Sequence, residues 1–167
     1  MKQLVLIRHA KSSWSDPALA DRDRPLNKRG LRDAPRMGLR LVERFGDSSI
    51  SIISSPALRA KSTAHILAGE LGVAESDVVL KDSLYHAEVE ALMRAVETLD
   101  DSSERVLLVG HNPGLTDFAS ELCGKAVKWM PTCGIVALNF DVDSWVDVQL
   151  GRGQLDWLDC PKRPGQL

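Results

Sequence analysis

The chain has no apolar stretch that approaches the ~20 residues needed to span a bilayer. Its first hydrophobic run begins as a strand too soon after Lys2 to be a signal peptide, so a cytoplasmic location is the expectation. Charge of one sign is not in excess either. The 21 Lys and Arg against 23 Asp and Glu give a formal net charge of −2, and no global field draws in nucleic acid or an anionic membrane. Any anion must therefore be bound by a local cluster. Cysteine is scarce: Cys123, Cys133 and Cys160 are odd in number and lack metal-ligand spacing. That argues against a disulfide framework and a zinc site and leaves reduced packing as their role. The sequence also lacks internal repeats, low-complexity tracts and linkers, and Gly151-x-Gly153 has none of the remainder of a dinucleotide fingerprint. One domain over residues 1–160 with a tail at 161–167 is expected.

What is present is an alternation of strand-like runs and helical periodicity, the pattern of an α/β sheet with helices on both faces. Gln3 to Ile7 reads as the first strand, and the polar, irregular stretch from Lys11 to Arg24 reads as a loop lining a site. Asn27 can cap a helix to about Phe45, with Met37, Leu41 and Phe45 on one stripe and Pro35 either kinking it or marking its start. Arg36, Arg40 and Arg44 repeat every four residues and read as its solvated face. Ile50 to Ile53 is a second strand, after which Ser55-Pro56 supplies an N-cap and first-turn proline for a helix ending near Gly72. Asp77 to Leu80 is a short strand, Val89 to Leu99 an amphipathic helix and Arg105 to Val109 a fourth strand. Asn112-Pro113 can start another helix. Gly134–Phe140 and Trp145–Leu150, joined by Asp141 to Ser144, read as an antiparallel edge hairpin. The expected architecture is a three-layer α/β/α sandwich with a mostly parallel sheet of about six strands.

Three segments place nitrogen-rich side chains just past strand ends: Arg8-His9, Ser54 to Arg59, and Gly110-His111-Asn112-Pro113. Strands of one parallel sheet open their C-terminal ends on the same side, so groups about a hundred residues apart can converge there. Two arginine forks with two histidines describe an anion site, and phosphoryl is the anion that best uses two forks. His65 lies within a helix with no motif around it and reads as an ordinary packing or surface residue.

Four ordered motifs carry a resemblance: Leu6-Ile7-Arg8-His9-Ala10-Lys11-Ser12-Ser13-Trp14, Arg24-Pro25-Leu26-Asn27-Lys28-Arg29-Gly30, Ser54-Ser55-Pro56-Ala57-Leu58-Arg59-Ala60 and Val109-Gly110-His111-Asn112-Pro113-Gly114. Together they resemble the histidine phosphatase superfamily, with its phosphoglycerate mutase-like fold, and within it the SixA-like phosphohistidine phosphatases. The likeness runs from about residue 3 to residue 150. It implies that His9 is the nucleophile, becoming a phosphohistidine that water later hydrolyses. It also implies that Arg8, Arg59 and His111 hold the phosphoryl oxygens and stabilise their charge, with no metal and no cofactor. The chemistry is consistent, because two nearby guanidiniums lower the pKa of an imidazole and keep its lone pair available.

Some positions depart from the family pattern. Ala10 stands where many members have Gly, and Ser15 stands where mutase-type members have Asn. Acid-phosphatase-like members follow the second histidine with an acidic residue, whereas Asn112 cannot donate a proton as a general acid. Mutase-like members draw a carboxylate from the loop after the third strand, which makes Glu88 the candidate here, against a plain helix-start acid, with Tyr85 and His86 as lesser ones. A phosphohistidine imidazole leaves more readily than an alkoxide. The few residues between Leu80 and Glu88 also leave little material for a lid. The expected substrate is thus a phosphohistidine on a protein, such as a histidine phosphotransfer domain or a phosphocarrier, met by a monomer. Small phosphate esters are the alternative substrate, and a non-catalytic phospho-binding module the alternative class. Trp129-Met130-Pro131 reads either as packing beneath the sheet edge or as an exposed partner-facing patch.

Overall fold

Strand β1 (Lys2–Arg8) forms the centre of a mixed sheet in the computed structural model, which describes residues 1–162. The expected tail beyond residue 162 lies outside the described residues. The chain continues through α1 (Lys28–Phe45), β2 (Ser51–Ser54), α2 (Leu58–Glu70), β3 (Val79–Leu80) and α3 (Val89–Glu97). It ends with β4 (Arg105–Gly110), α4 (Gly114–Cys123), β5 (Ile135–Phe140) and β6 (Gln154–Asp159). The sheet order is β3-β2-β4-β1-β5-β6, parallel from β3 to β1 and antiparallel at β5 and β6.

Burial on both faces explains the unbroken apolar run at the start of the chain. Leu4 and Leu6 face a core closed by α3 and α4 residues such as Leu92, Val96, Leu115 and Phe118. Val5 and Ile7, on the opposite face of the pleat, meet Met37, Leu41, Ala64 and Leu67 from α1 and α2. Strand β4 repeats the division, with Val106 and Leu108 on the first side and Leu107 and Val109 on the second. A one-residue slip would exchange the two faces, so the register is firmly specified. That register sets Arg8 beside Gly110 and Ser54 beside Val109. Three carboxyl-terminal strand ends are thereby aligned, and His9, Ser55 and His111 emerge together.

Several sequence expectations are corrected. The edge hairpin exists, but its second strand is Gln154–Asp159 and not 145–150. Trp145 begins a short 3-10 turn instead, fully buried, with its indole N–H donated to the Ser103 carbonyl. Strand β6 has one neighbour and a register shift opposite Ala137 and Leu138, so its polar residues break the alternation that would have marked it. Ser55 does not cap α2, which starts at Leu58 after Ala57. Pro35 sits inside α1, and the helix begins before it under the Asn27 cap, whose Oδ1 accepts from the Gly30 N–H at 2.9 Å. The arginine face of α1 is not wholly solvated: Arg40 pairs with Asp159 at 3.1 Å and Arg44 lies 4.3 Å over the Trp157 ring. The Lys11–Arg24 loop also has structure, an antiparallel bridge from Ser12 to Leu26 and a 3-10 turn at Asp21–Asp23. His65 faces Glu75 at 3.4 Å on the surface, in keeping with the ordinary role read for it.

Two glycines bring the loops into place. At Gly30 a Cβ would collide with the Lys11 carbonyl oxygen, and at Gly114 with that of Ala87. The first contact docks the loop after β1 on α1, and the second holds the Tyr85–Glu88 segment against the start of α4. Gly114→Ala should therefore act as overpacking against backbone, costing ~1–3 kcal/mol. The measurement is a thermal melt, expected to fall by about 2–4 °C for each kcal/mol lost.

Candidate active site

His9 is 8% exposed and follows β1, where its backbone N–H donates to Gly110 O at 3.0 Å. The backbone N–H of Cys133 closes the other side by donating to Arg8 O and His9 O. In the ring, Nδ1 lies 2.8 Å from the Ala10 carbonyl, which can only accept, so the proton sits on Nδ1. Nε2 is then the lone-pair nitrogen, and Arg59 Nε donates to it at 3.3 Å. Burial lowers the His9 pKa to about 4, and the charges of Arg59, Arg8 and Arg24 add to that against the opposing Ala10 hydrogen bond. The imidazole is neutral at pH 7 with its lone pair directed at a guanidinium edge.

Arg59 comes from the first turn of α2 and is 2% exposed. Asp21 compensates its buried charge twice, through Oδ2 at 2.9 Å from Nη2 and through its main-chain carbonyl at 2.6 Å from Nη1. The Arg59 carbonyl accepts from Thr63 Oγ1, which in turn accepts from the Ala10 N–H at 3.0 Å, so α2 and the chain after β1 are tied together. His111 follows β4 and stands 5.2 Å from the His9 ring, centroid to centroid. Its Nδ1 faces Arg59 Nη2 at 3.5 Å and can only accept there, so Nε2 carries the proton to Ser55 Oγ at 2.7 Å. Burial, then the neighbouring His9, Arg59 and His86, lower its pKa to about 2.

Arg8 donates Nη1 to the Met130 carbonyl at 2.9 Å, while its Nε is buried without a hydrogen-bond partner among the described residues. A buried guanidinium N–H left unpaired costs free energy unless an acceptor comes to it. Arg24 adds a third cation, buried, bonded to Ser12, Ser13 and Asp21, with its guanidinium 3.6 Å from the centre of the exposed Trp14 ring. The cavity enclosed by these groups is about 370 Å³. Arg8, Lys11, Arg24 and Arg59 line it, with Asp21 as the one acidic side chain among the described lining residues. Such a space suits a compact, doubly charged tetrahedral anion.

The structure brings Arg8, His9, Arg59 and His111 together. It does not bring Glu88 to them. Glu88 stands at the start of α3 with an exposed side chain and lines an adjacent cavity of about 450 Å³ with Glu90, Pro113 and Asp117. His86 forms a wall of both cavities. Asn112 is occupied elsewhere, donating to Met130 O and accepting from Thr116. Trp129 is 59% exposed, with the Arg8 guanidinium 5.6 Å from its ring, whereas Met130 is fully buried, so that segment is part packing and part surface. The residue that sequence reasoning passed over is Asp21. Its Oδ2 accepts from Arg59, from Tyr85 Oη at 2.7 Å and from His86 Nε2 at 3.0 Å. Burial disfavours the carboxylate, but the bonds from Tyr85, His86 and Arg59 outweigh it and hold the Asp21 pKa well below the usual range. It lies in a loop already expected to line a site, yet nothing in spacing separates it from Asp16 or Asp23.

These features define an α/β protein with a basic, histidine-lined cavity at the carboxyl edge of its sheet. Residues 4–92 match the model of the histidine phosphatase superfamily, branch 1, and the chain belongs to that superfamily. It is 30% identical to an uncharacterized chloroplastic protein of Arabidopsis thaliana, over 93% of this chain and 74% of that one. A structure from Agrobacterium tumefaciens, assigned as the phosphohistidine phosphatase SixA, superposes with a TM-score of 0.79 at 26% identity, covering 96% of this chain and 98% of that one. The protein histidine phosphatase SixA complexed with tungstate shares the fold at a TM-score of 0.80 and 23% identity, over 95% and 97% of the two chains. The chain is a SixA-like member of the superfamily. None of the helices among the described residues is long and apolar enough to cross a membrane.

The neutral His9 tautomer is open to direct measurement. In ¹⁵N NMR at pH 5.5, His9 should show a protonated Nδ1 and a lone-pair Nε2, with conversion to imidazolium only as the pH falls toward about 4. An imidazolium signal for His9 at pH 5.5 would contradict the electrostatic account.

Proposed function

We propose that this protein is a metal-independent phosphatase that carries the phosphoryl group on His9 and acts on phosphohistidine borne by a protein. The observation that carries this reading is the neutral His9, its Nε2 lone pair presented to a cavity lined by guanidiniums. Nε2 attacks phosphorus in line, and the bond to the leaving group breaks with its electron pair on the departing atom. Arg8, through its unpaired Nε, and Arg59 take the charge that spreads over the equatorial oxygens. The oxygens bring negative charge beside His111, which favours its protonated form and converts Nδ1 from acceptor to donor. Water then attacks the phospho-His9 phosphorus, the P–N electron pair returns to Nε2, and inorganic phosphate leaves.

Two features favour a protein substrate. The described carboxylate lining the cavity, Asp21, is held ionised, which leaves protonation of the leaving group to a weaker acid and suits a readily departing phosphohistidine imidazole better than an alkoxide. The cavity is also flanked by the exposed rings of Trp14, on its wall, and Trp129, above Arg8, the kind of side chain enriched in protein contacts. A histidine phosphotransfer domain or a phosphocarrier presents an exposed phosphoimidazole that such an opening can admit.

Acid–base trapping tests the intermediate. After mixing with labelled substrate, the wild-type protein should retain a label that is base-stable, acid-labile and absent from His9→Ala. Arg59→Ala should lower kcat by about 10²-fold, as does removal of an oxyanion donor; an effect on KM alone would show uniform binding instead. Turnover should persist in EDTA. On a substrate panel, kcat/KM should be highest for phosphohistidine proteins, and a clearly higher value on a sugar phosphate would sink the substrate proposal while leaving the His9 chemistry intact.

A further inference from the structure

We propose that His86, oriented by Asp21, is the acid that protonates the leaving group. The inference rests on His9-mediated phosphoryl transfer, and the groups around the cavity lead to it by elimination. Glu88 opens into the adjacent cavity, Asn112 has no transferable proton, and Asp21 is held ionised by its three donors on Oδ2. Tyr85 donates to Asp21, and burial together with that bond raises its pKa, which makes its phenol a weaker acid still. His111 gives its Nε2 proton to Ser55, and the Nδ1 proton it gains beside the phosphoryl oxygens is committed to them. His86 remains, on the wall of the reaction cavity, its ring 5.0 Å from that of His111.

The backbone at His86 is held for a purpose that packing alone does not supply. Its φ is +48°, a left-handed conformation uncommon for a non-glycine residue. Three contacts maintain it: the Asp21 bond to Nε2, the Tyr85 ring 4.3 Å away, and the neighbouring Ala87 carbonyl pressed against Gly114. The side chain is nonetheless half exposed, so little apolar burial offsets the strain. Asp21 fixes Nε2 and supplies a counter-ion to an imidazolium, while Nδ1 has no hydrogen-bond partner among the described residues. In the forward step the P–O or P–N bond breaks, its electron pair goes to the departing atom, and the Nδ1 proton of His86 moves to that atom. Neutral His86 then takes a proton from the water that attacks phospho-His9 and returns to its starting state. Asp21 is a positioning residue here, acting through His86 and Arg59.

The test is leaving-group dependence. For a series of aryl phosphates from p-nitrophenyl to phenyl phosphate, log(kcat/KM) of the wild-type protein should vary weakly with the pKa of the phenol. In His86→Gln the slope should steepen, with kcat/KM, which reports the first transfer, reduced by about 10²-fold or more for the phenyl ester, the usual scale of general acid catalysis, and much less for the p-nitrophenyl ester, while kcat falls for both because the attacking water loses its base. His86→Gly suits the left-handed backbone and keeps the test open if the first variant misfolds. Added imidazole should restore its activity selectively on the phenyl ester. Asp21→Asn should lower all rates through Arg59 and steepen the slope as well. Equal losses across the series, or no loss, overturn the assignment. Absence of an acid-labile label on wild-type His9 overturns the covalent scheme itself, a separate outcome from a label that forms with an unchanged slope.

Discussion

The parallel pairing of β1 with β4 is the constraint on which the site depends. With Arg8 registered against Gly110, the next residue of each strand is a histidine, and both rings leave the sheet at the same edge. The two strands are buried on both faces by helices, so neither can slide without exchanging core and surface. The precision of the cavity is thus inherited from hydrophobic packing several residues away. The antiparallel β5 braces the other side of β1, and the turn before it brings the Cys133 N–H to the Arg8 and His9 carbonyls.

Burying cations at that edge creates a second demand. Arg59 is almost fully enclosed, and a buried charge without a partner is strongly destabilising. Asp21 meets the demand from a loop, engaging both Nη atoms, and in doing so recruits Tyr85 and His86 from the far side. One carboxylate therefore organises three segments that have no regular secondary structure in common. The same burial sets the protonation of the histidines. Desolvation and the surrounding guanidiniums keep His9 neutral, so the cations that line the cavity also maintain its Nε2 lone pair.

Much of this is legible in the chain. The double-faced burial of β1 and β4 shows as unbroken apolar runs, and strand ends followed by Arg8-His9 and His111 announce that these side chains meet at one edge of the sheet. The edge strand β6 is not legible, because a strand with a single partner and a shifted register has no need of the alternation that advertises others. Ser55 reads as a helix cap from its proline neighbour, whereas tertiary structure uses its hydroxyl to hold His111. Asp21 carries no local signature at all. Its role arises from contacts to residues 38, 64 and 65 positions away, and such pairings are invisible to periodicity.

The arrangement of the arginines also explains how a cavity open to solvent keeps its cations in place. The Arg24 guanidinium lies 3.6 Å from the centre of the Trp14 ring, and Arg8 approaches the Trp129 ring at 5.6 Å. The Trp14 ring covers the Arg24 guanidinium while its N–H groups are taken by Ser12, Ser13 and Asp21, and an aromatic face attracts the cation rather than competing for its donors. Donors shielded in this way are held in position before the substrate arrives and need little reorganisation when charge develops on the phosphoryl oxygens. A deep lid is therefore not the only route to preorganised cations: Trp14 backs Arg24, and the single carboxylate of Asp21 anchors both Arg24 and Arg59.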